Sequence, residues 1–265
     1  MVSHITMSSL APLLSKFRLF TTDDVDQCLT RTGPISRRGR DRLLATLCAD
    51  GTLVRVRRGL YASTGRDGTT PDPYHVAAWL APDAILGVRS ALEARGIVPP
   101  TSDRCIYFTR LASAGRGPVW QGRVMQPVSH PTALIRNGGP LVETEVISGN
   151  GCGPLRVSTI ERAFVDMLER PRLTGTWADV VETIGQIPAL DLDRMVAYLE
   201  RLDNATTAAK TGWILERHQE QFAVTTPVLG RIERLRPRGP HYLSRSRRES
   251  GQYVPRWNLV VPRAV

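Results

Sequence analysis

The chain has 265 residues, of which 42% are hydrophobic, and its formal net charge at pH 7 is +10. This hydrophobic content excludes a disordered chain, and the lack of an apolar run of about 18 residues excludes a membrane-spanning helix. The N-terminal residues lack the basic start and long apolar segment of a signal peptide, so we expect a cytoplasmic protein without membrane contact. The positive charge favours a polyanionic partner.

The positive charge is concentrated at the two ends of the chain. Residues 1–63 contain ten basic and five acidic residues, residues 231–265 contain nine and two, and the residues between them carry a net charge of −2. Nearly all the basic residues are arginine, which a GC-rich genome would also favour. Arginine binds phosphate bidentately and reads guanine edges well, so both ends are candidates for contact with nucleic acid.

Two helices are predicted at the N-terminal end, over residues 8–19 and from Thr21 onward, where a threonine cap precedes two acidic residues. The stretch 36–61 then predicts a third helix followed by a β-hairpin. Ser36 can cap this helix, leucines recur at helical spacing, and Gly51 follows its end. A helix with arginines at its start, followed at once by a basic hairpin, is typical of a winged helix-turn-helix.

In that fold the third helix lies in the major groove of double-stranded DNA, and the hairpin, or wing, contacts the flanking backbone. The predicted DNA-binding residues are Ser36, Arg37, Arg38, Arg40, Arg42, Arg55, Arg57 and Arg58. A solvated helix face balanced by Asp41 and Asp50 is the simpler alternative, and winged helices also mediate protein contacts. Four arginines in six residues against one acid favour DNA contact. We expect Tyr61 to pack under the wing.

The remaining chain predicts a second, larger domain, and the overall fold class is mixed α/β (α+β). We expect a winged-helix domain over residues 1–63, a linker without apolar residues over 64–73, and an α/β domain over 74–265. Within the α/β domain, helices are predicted near 74–81, 88–95, 158–169, 177–186, 191–202 and 205–222, and strands near 104–110, 120–128, 141–147 and 253–261.

The start of the helix near residue 158 contains the residue pattern S-x-x-E-R-x-x-x-D. Ser158 and Glu161 have the spacing of a capping box, and Arg162 and Asp166 that of an ion pair on a helix surface. These structural roles account for all four residues, so we do not assign them to catalysis.

Enzymatic chemistry has little support elsewhere in the sequence. The four cysteines and five histidines are scattered without metal-ligand spacing, so we expect no metal and no cofactor. Asp191 and Asp193 resemble the acidic pair of a nucleotidyltransferase, but no Gly-Ser turn precedes them and Asp191 stands where a helix cap is expected. We interpret the chain as non-catalytic.

A second basic patch is predicted near the C-terminal end. It contains Arg231, Arg234, Arg236, Arg238, Arg245, Arg247 and Arg248. These arginines are consistent with a second DNA contact, with a protein partner, or with a solvated surface.

Four segments together resemble the AbiEi family of antitoxins and transcriptional regulators. They are VRRGLYA (56–62), HVAAWLAPDAILGVRSALEARGI (75–97), LRVSTIERAFVDMLERP (155–171) and YLERLDNATTAAKTGWILE (198–216). The resemblance implies a winged helix joined to an α/β antitoxin domain. It also implies repression of the protein's own operon through its promoter DNA, and a nucleotidyltransferase-type toxin as partner. The C-terminal end is more basic than this resemblance leads us to expect.

Two other functions remain open from the sequence. One is a stand-alone winged-helix regulator whose larger domain senses a ligand, and the other is a DNA-processing enzyme targeted by a winged helix.

Overall fold

The computed structural model of the chain describes residues 10–31, 36–65, 68–112, 117–148, 152–243 and 251–262. These residues form a mixed α/β fold with three sheets. The described residues up to Ser63 form an N-terminal unit. Its elements are α1 (Ala11–Lys16), β1 (Leu19–Thr21), α2 (Thr22–Thr30), α3 (Arg37–Ala49), β2 (Leu53–Arg57) and β3 (Leu60–Ser63).

The three predicted helices and the hairpin of this unit are confirmed, but the first helix is shorter than expected. It ends at Lys16, and the chain continues into β1, which no sequence pattern predicted. Strand β3 lies between β1 and β2 and pairs antiparallel with both. Thr21 caps α2 through a reciprocal capping box with Asp24.

Both faces of this small sheet are buried. On one face, Phe20, Leu53 and Tyr61 pack against the apolar sides of α1, α2 and α3. Because strand side chains alternate, Leu19 and Ala62 point the other way, and they belong to the main core of the chain. The N-terminal unit is therefore packed against the rest of the molecule through its sheet.

The segment predicted as a linker forms no helix or strand in its described residues up to Asp72, but Pro73 already begins a helix of the larger domain. The segment is also fixed at several points. The Arg18 guanidinium donates to the Thr69 carbonyl oxygen at 2.6 Å. The Trp120 indole N–H donates to the Pro71 carbonyl oxygen at 2.8 Å. The connection is thus bound to both parts of the chain that it joins.

The larger domain is built on a six-stranded mixed sheet. Its strands are β4 (Ile85–Leu86), β5 (Arg104–Phe108), β6 (Val119–Trp120), β7 (Arg123–Val128), β8 (Thr144–Ile147) and β9 (Leu155–Ser158). They lie in the order β6-β7-β5-β4-β9-β8, and the pairs β5/β7 and β4/β9 are parallel. The strand predicted near 120–128 is instead a hairpin, because Gln121 and Gly122 turn the chain with positive φ angles.

Eight helices accompany this sheet in the described residues. They are α4 (Pro73–Leu80), α5 (Val88–Ala94), α6 (Thr132–Arg136), α7 (Ile160–Glu169), α8 (Trp177–Gly185), α9 (Leu192–Leu202), α10 (Ala205–Arg217) and α11 (Thr226–Glu233). Helix α7 is the most central, since every residue from Glu161 to Leu168 is buried. Asp191 caps α9, as expected, by accepting from two backbone amides.

The predicted cap of α7 is wrong by one residue. Thr159, not Ser158, caps the helix, and its side chain accepts from the Arg162 amide at 3.2 Å. Ser158 is the last residue of β9, where it pairs with β8. Glu161 instead accepts from the Asp191 amide and so connects α7 to the start of α9.

The ion pair predicted on the surface of α7 is also placed differently. The side chains of Arg162 and Asp166 are fully buried, with 3.3 Å between Nε and Oδ2. Tyr198 donates its hydroxyl hydrogen to Asp166 at 2.6 Å, and Arg162 donates to the Val142 carbonyl oxygen at 2.6 Å. Burial raises the pKa of Asp166, although the Arg162 charge opposes this shift.

A small third sheet ends the described chain. It contains β10 (His241–Tyr242), β11 (Gly251–Val254) and β12 (Leu259–Pro262), with β12 in the middle. The single closing strand predicted over 253–261 is therefore wrong, because Pro255 to Trp257 form a 3-10 turn between two strands. The Trp257 ring packs so closely on Gly212 that a β-carbon there would lie 2.1 Å from it.

Candidate nucleic-acid interface

The N-terminus of helix α3 is capped by a side chain but has no acidic residue beside it. The Ser36 hydroxyl accepts from the Gly39 amide at 3.1 Å, which satisfies one of the free amides of the first turn. No acidic residue lies in that first turn, so the positive end of the helix dipole is not neutralised there. Ser36 therefore acts as a cap, and the start of α3 remains attractive to phosphate.

One face of α3 is exposed and carries three unpaired arginines. Arg37, Arg38 and Arg42 are exposed, and none of them has an ion pair or side-chain hydrogen bond within the described residues. Further along the same face, Ala45 and Ala49 are also exposed. Arginines at the start of a helix, followed by small residues, leave the helix free to approach a base edge or a phosphate closely.

Arg40 is held by the protein itself and does not belong to this open face. Its guanidinium bonds Asp26 of α2 at 2.6 Å and Asp41 at 2.8 Å, and its side chain is only 12% exposed. The hydrogen bond with Asp41 raises the pKa of Arg40. We therefore assign Arg40 to fixing α3 against α2 and not to direct DNA contact.

The hairpin between β2 and β3 presents two of its three arginines without a protein partner. Arg55 and Arg58 are exposed, and neither has an ion pair in the part of the chain that the structure describes. Arg57 is exposed too, but it donates to the Leu80 carbonyl oxygen at the end of α4, at 3.3 Å. The wing is thus anchored to the larger domain through Arg57.

The turn of the wing is held in one conformation. Gly59 has a φ angle of +81°, in the left-handed region that residues with a side chain rarely adopt. Its carbonyl oxygen accepts from the Thr22 amide at 3.1 Å. Tyr61 is buried and stacks on Phe20 with 6.4 Å between ring centroids, so it is not available to stack on a base.

The predicted C-terminal basic patch is partly neutralised. Arg231 forms an ion pair with Asp193, and Arg236 forms one with Glu233 at 2.9 Å. Arg256, which the sequence did not single out, also bonds Glu233. Arg231 thus joins α11 to α9, and Arg236 and Arg256 tie the segment after α11 to the end of that helix.

Two further members of the patch, Arg234 and Arg238, are exposed and have no ion pair within the described residues. The others, Arg245, Arg247 and Arg248, lie outside the described residues. The patch therefore offers two observed free cations, compared with five on α3 and the wing.

The larger domain contains a surface cavity of about 490 Å³ that the sequence did not reveal. Its lining includes Thr132, Glu169, Arg170, Thr206 and His241. Burial raises the pKa of Glu169 to about 7. Apart from the neighbours Glu169 and Arg170, these residues come from separate segments of the chain, so no local pattern could have grouped them.

The described residues contain no group of three His, Cys, Asp or Glu side chains that could hold a metal ion. In the same part of the chain, no helix is both long and apolar enough to cross a membrane.

Comparison with known proteins finds similarity to a solved structure. No protein-family model and no curated protein matches the sequence. The chain is similar to the crystal structure of the RV2827C protein from Mycobacterium tuberculosis, with a TM-score of 0.57 and 22% sequence identity. The similarity covers 96% of this chain and 91% of that one. At this identity it establishes a shared mixed α/β fold over almost the whole length of both proteins.

Proposed function

We propose that this protein is a DNA-binding antitoxin that represses its own operon and counters a nucleotidyltransferase-type toxin. The observation that carries the DNA half is the exposed face of α3, where Arg37, Arg38 and Arg42 have no protein partner. Such exposed guanidinium groups match the phosphates and guanine edges of double-stranded DNA.

The order of elements in the N-terminal unit supports the same proposal. The order along the chain is a helix, a strand, two helices and a two-stranded hairpin. The first strand, β1, pairs with β3 of the hairpin and so completes a three-stranded sheet. We interpret this unit as a winged helix in which α3 enters the major groove and the β2–β3 turn contacts the backbone beside it.

The antitoxin half of the proposal rests on the resemblance of four segments to the AbiEi family. Two of them form α7 and α10, which pack together in the core, and a third contains α4 and α5. We propose that the larger domain counters the toxin, and we propose no catalytic role for this domain. The protein would then act in the cytoplasm, where both promoter and toxin are found.

The wing should contribute to binding of every DNA sequence alike. Replacing Arg58 with alanine is expected to weaken binding to the protein's own promoter and to unrelated duplexes by the same factor. Because each lost phosphate contact reduces counterion release, the slope of log K against log salt should fall by about 0.9. Fluorescence anisotropy at several salt concentrations would measure this slope.

The control for this variant is Arg172→Ala, which removes an exposed and unpaired arginine from the larger domain. Its salt slope should equal that of the wild type. If the slope for Arg58→Ala also equals the wild-type slope, the wing does not contact the DNA backbone through Arg58.

The antitoxin role predicts growth rescue by co-expression. If a neighbouring gene encodes a nucleotidyltransferase-like toxin, its induction should arrest growth, and co-expression of this chain should restore it. A variant with Arg37, Arg38 and Arg42 replaced by alanine should still rescue when expressed from an unrelated promoter, because the proposal places toxin neutralisation in the larger domain. Arrest that persists beside well-expressed wild-type protein would contradict the antitoxin role.

A second candidate function is a stand-alone regulator that senses a small ligand. The cavity beside Glu169 and Arg170 favours it, since about 490 Å³ lies within the usual range for small-molecule sites. Promoter binding without rescue from any neighbouring toxin would support this second function over the first.

A further inference from the structure

The exposed face of α3 contains one acidic residue among its arginines. Asp41 lies three residues after Arg38 and immediately before Arg42, so the three side chains share one side of the helix. The Asp41 side chain is 56% exposed. A carboxylate on a surface that meets phosphates is repelled by them, so its presence there calls for a specific partner.

The balance of charge around Arg40 shows that Asp41 is not needed as a counterion. Arg40 already bonds Asp26 at 2.6 Å, and Asp41 adds a second carboxylate to the same guanidinium. One cation between two anions leaves this group of three side chains with a net charge of −1. A residue that served only to neutralise Arg40 would be redundant.

The contacts of Asp41 leave one of its oxygens available in a fixed position. Arg40 donates to Oδ1 from Nε at 2.9 Å and from Nη2 at 2.8 Å. Within the described residues Oδ2 accepts no hydrogen bond, and the two Arg40 donors that converge on Oδ1 hold the carboxylate beside the guanidinium. An acceptor that is already oriented loses little entropy when it binds a donor.

We propose that Asp41 is a specificity-determining residue that accepts a hydrogen bond from the N4 amino group of a cytosine in the major groove. This inference rests on the proposed function. Among the base edges in that groove, the amino group of cytosine is the donor that suits an aspartate, while Arg38 and Arg42 suit guanine. The exposed Ala45 beside them leaves room for a thymine methyl group. The preferred ligand is thus a duplex in which G·C pairs occupy the centre of the site.

The test compares sequence selection by the wild type and by Asp41→Asn. Each full-length protein is used to enrich bound duplexes from a library with a randomised centre, and the affinities of the enriched duplexes and of single-base variants are then measured. For the wild type, replacing one cytosine with thymine should lower affinity about tenfold, because thymine presents an acceptor where the amino group stood. Asp41→Asn should lose this discrimination and bind unrelated duplexes more tightly.

The matched control is Asp23→Asn, which removes the same charge from an exposed position on α2 of the same unit. It should raise the affinity for all duplexes slightly and keep the cytosine preference. If Asp41→Asn keeps that preference as well, Asp41 is only a solvated charge and the inference is wrong. If the wild type binds no duplex at all, the proposed function itself is wrong.

Discussion

Replacing Arg37, Arg38 and Arg42 together with alanine is expected to abolish specific binding to the protein's own promoter, with a loss of affinity of about 100-fold or more. Each well-placed arginine contact to a base contributes about 1–3 kcal/mol, and each lost phosphate contact also lowers the salt dependence. All three side chains are exposed and unpaired, so the fold should be retained. Fluorescence anisotropy with promoter and unrelated duplexes would measure the loss, and circular dichroism would confirm folding.

Arg40→Ala provides the contrast within the same helix. It removes the ion pairs with Asp26 and Asp41, so it should lower the free energy of unfolding by about 1 kcal/mol and reduce DNA binding much less than the triple replacement. Promoter binding by the triple variant at wild-type affinity would show that α3 is not the recognition helix. A larger binding defect in Arg40→Ala than in the triple variant would reverse the roles assigned to these arginines.

Replacing Asp166 with alanine is expected to lower the free energy of unfolding by about 3–5 kcal/mol, which is the usual cost of breaking a buried ion pair on one side. The variant leaves the Arg162 charge fully buried without its carboxylate and removes the acceptor of the Tyr198 hydroxyl. Since whole domains are stable by only about 5–15 kcal/mol, this loss should be visible as a large shift in the urea midpoint.

Arg194→Gln is the appropriate control for this experiment. Arg194 forms an ion pair with Glu143 at 2.8 Å, but its side chain is 43% exposed, so its removal should cost less than about 1 kcal/mol. The double variant Arg162→Met/Asp166→Leu should recover part of the stability lost by Asp166→Ala, because it leaves no unpaired charge in the core. A midpoint for Asp166→Ala close to that of Arg194→Gln would contradict the buried position of the pair.

Local sequence patterns were sufficient where local contacts determine the structure. The leucine spacing of α3 predicted its buried side correctly, and the same spacing placed Arg38 and Arg42 on the exposed side. Strand β1 could not be predicted in this way. Its first two residues, Leu19 and Phe20, continue the apolar pattern of α1, and only the pairing of this segment with β3, about 40 positions later, makes it a strand.

Contacts with residues far away in the sequence also explain the wrong predictions for the cap of α7, for Arg40 and for the burial of Arg162 and Asp166. Ser158 and Thr159 are both favourable caps by chemistry, and the pairing of Ser158 with Thr144 decides between them. Arg40 resembles its neighbours in sequence, yet Asp26 on the preceding helix withdraws it from the exposed face. The spacing of Arg162 and Asp166 predicted their contact, but its burial depends on other elements of the core. The sequence therefore predicted which side chains contact each other and which share a helix face. Contacts between distant parts of the chain determined which of these side chains are exposed to solvent.

The two-sided burial of the N-terminal sheet also has a consequence for the DNA binding proposed above. Leu19 and Ala62 pack into the main core, and Arg57 bonds the end of α4. These contacts prevent the N-terminal unit from rotating relative to the larger domain. On a DNA in which two copies of the binding site stand side by side as repeats, two bound chains would each present α3 at a set rotational phase. Since B-DNA turns once in about 10 base pairs, inserting half a turn between two repeats would direct the second copy to the opposite side of the duplex. The protein would in this way measure the distance between repeats as well as their sequence.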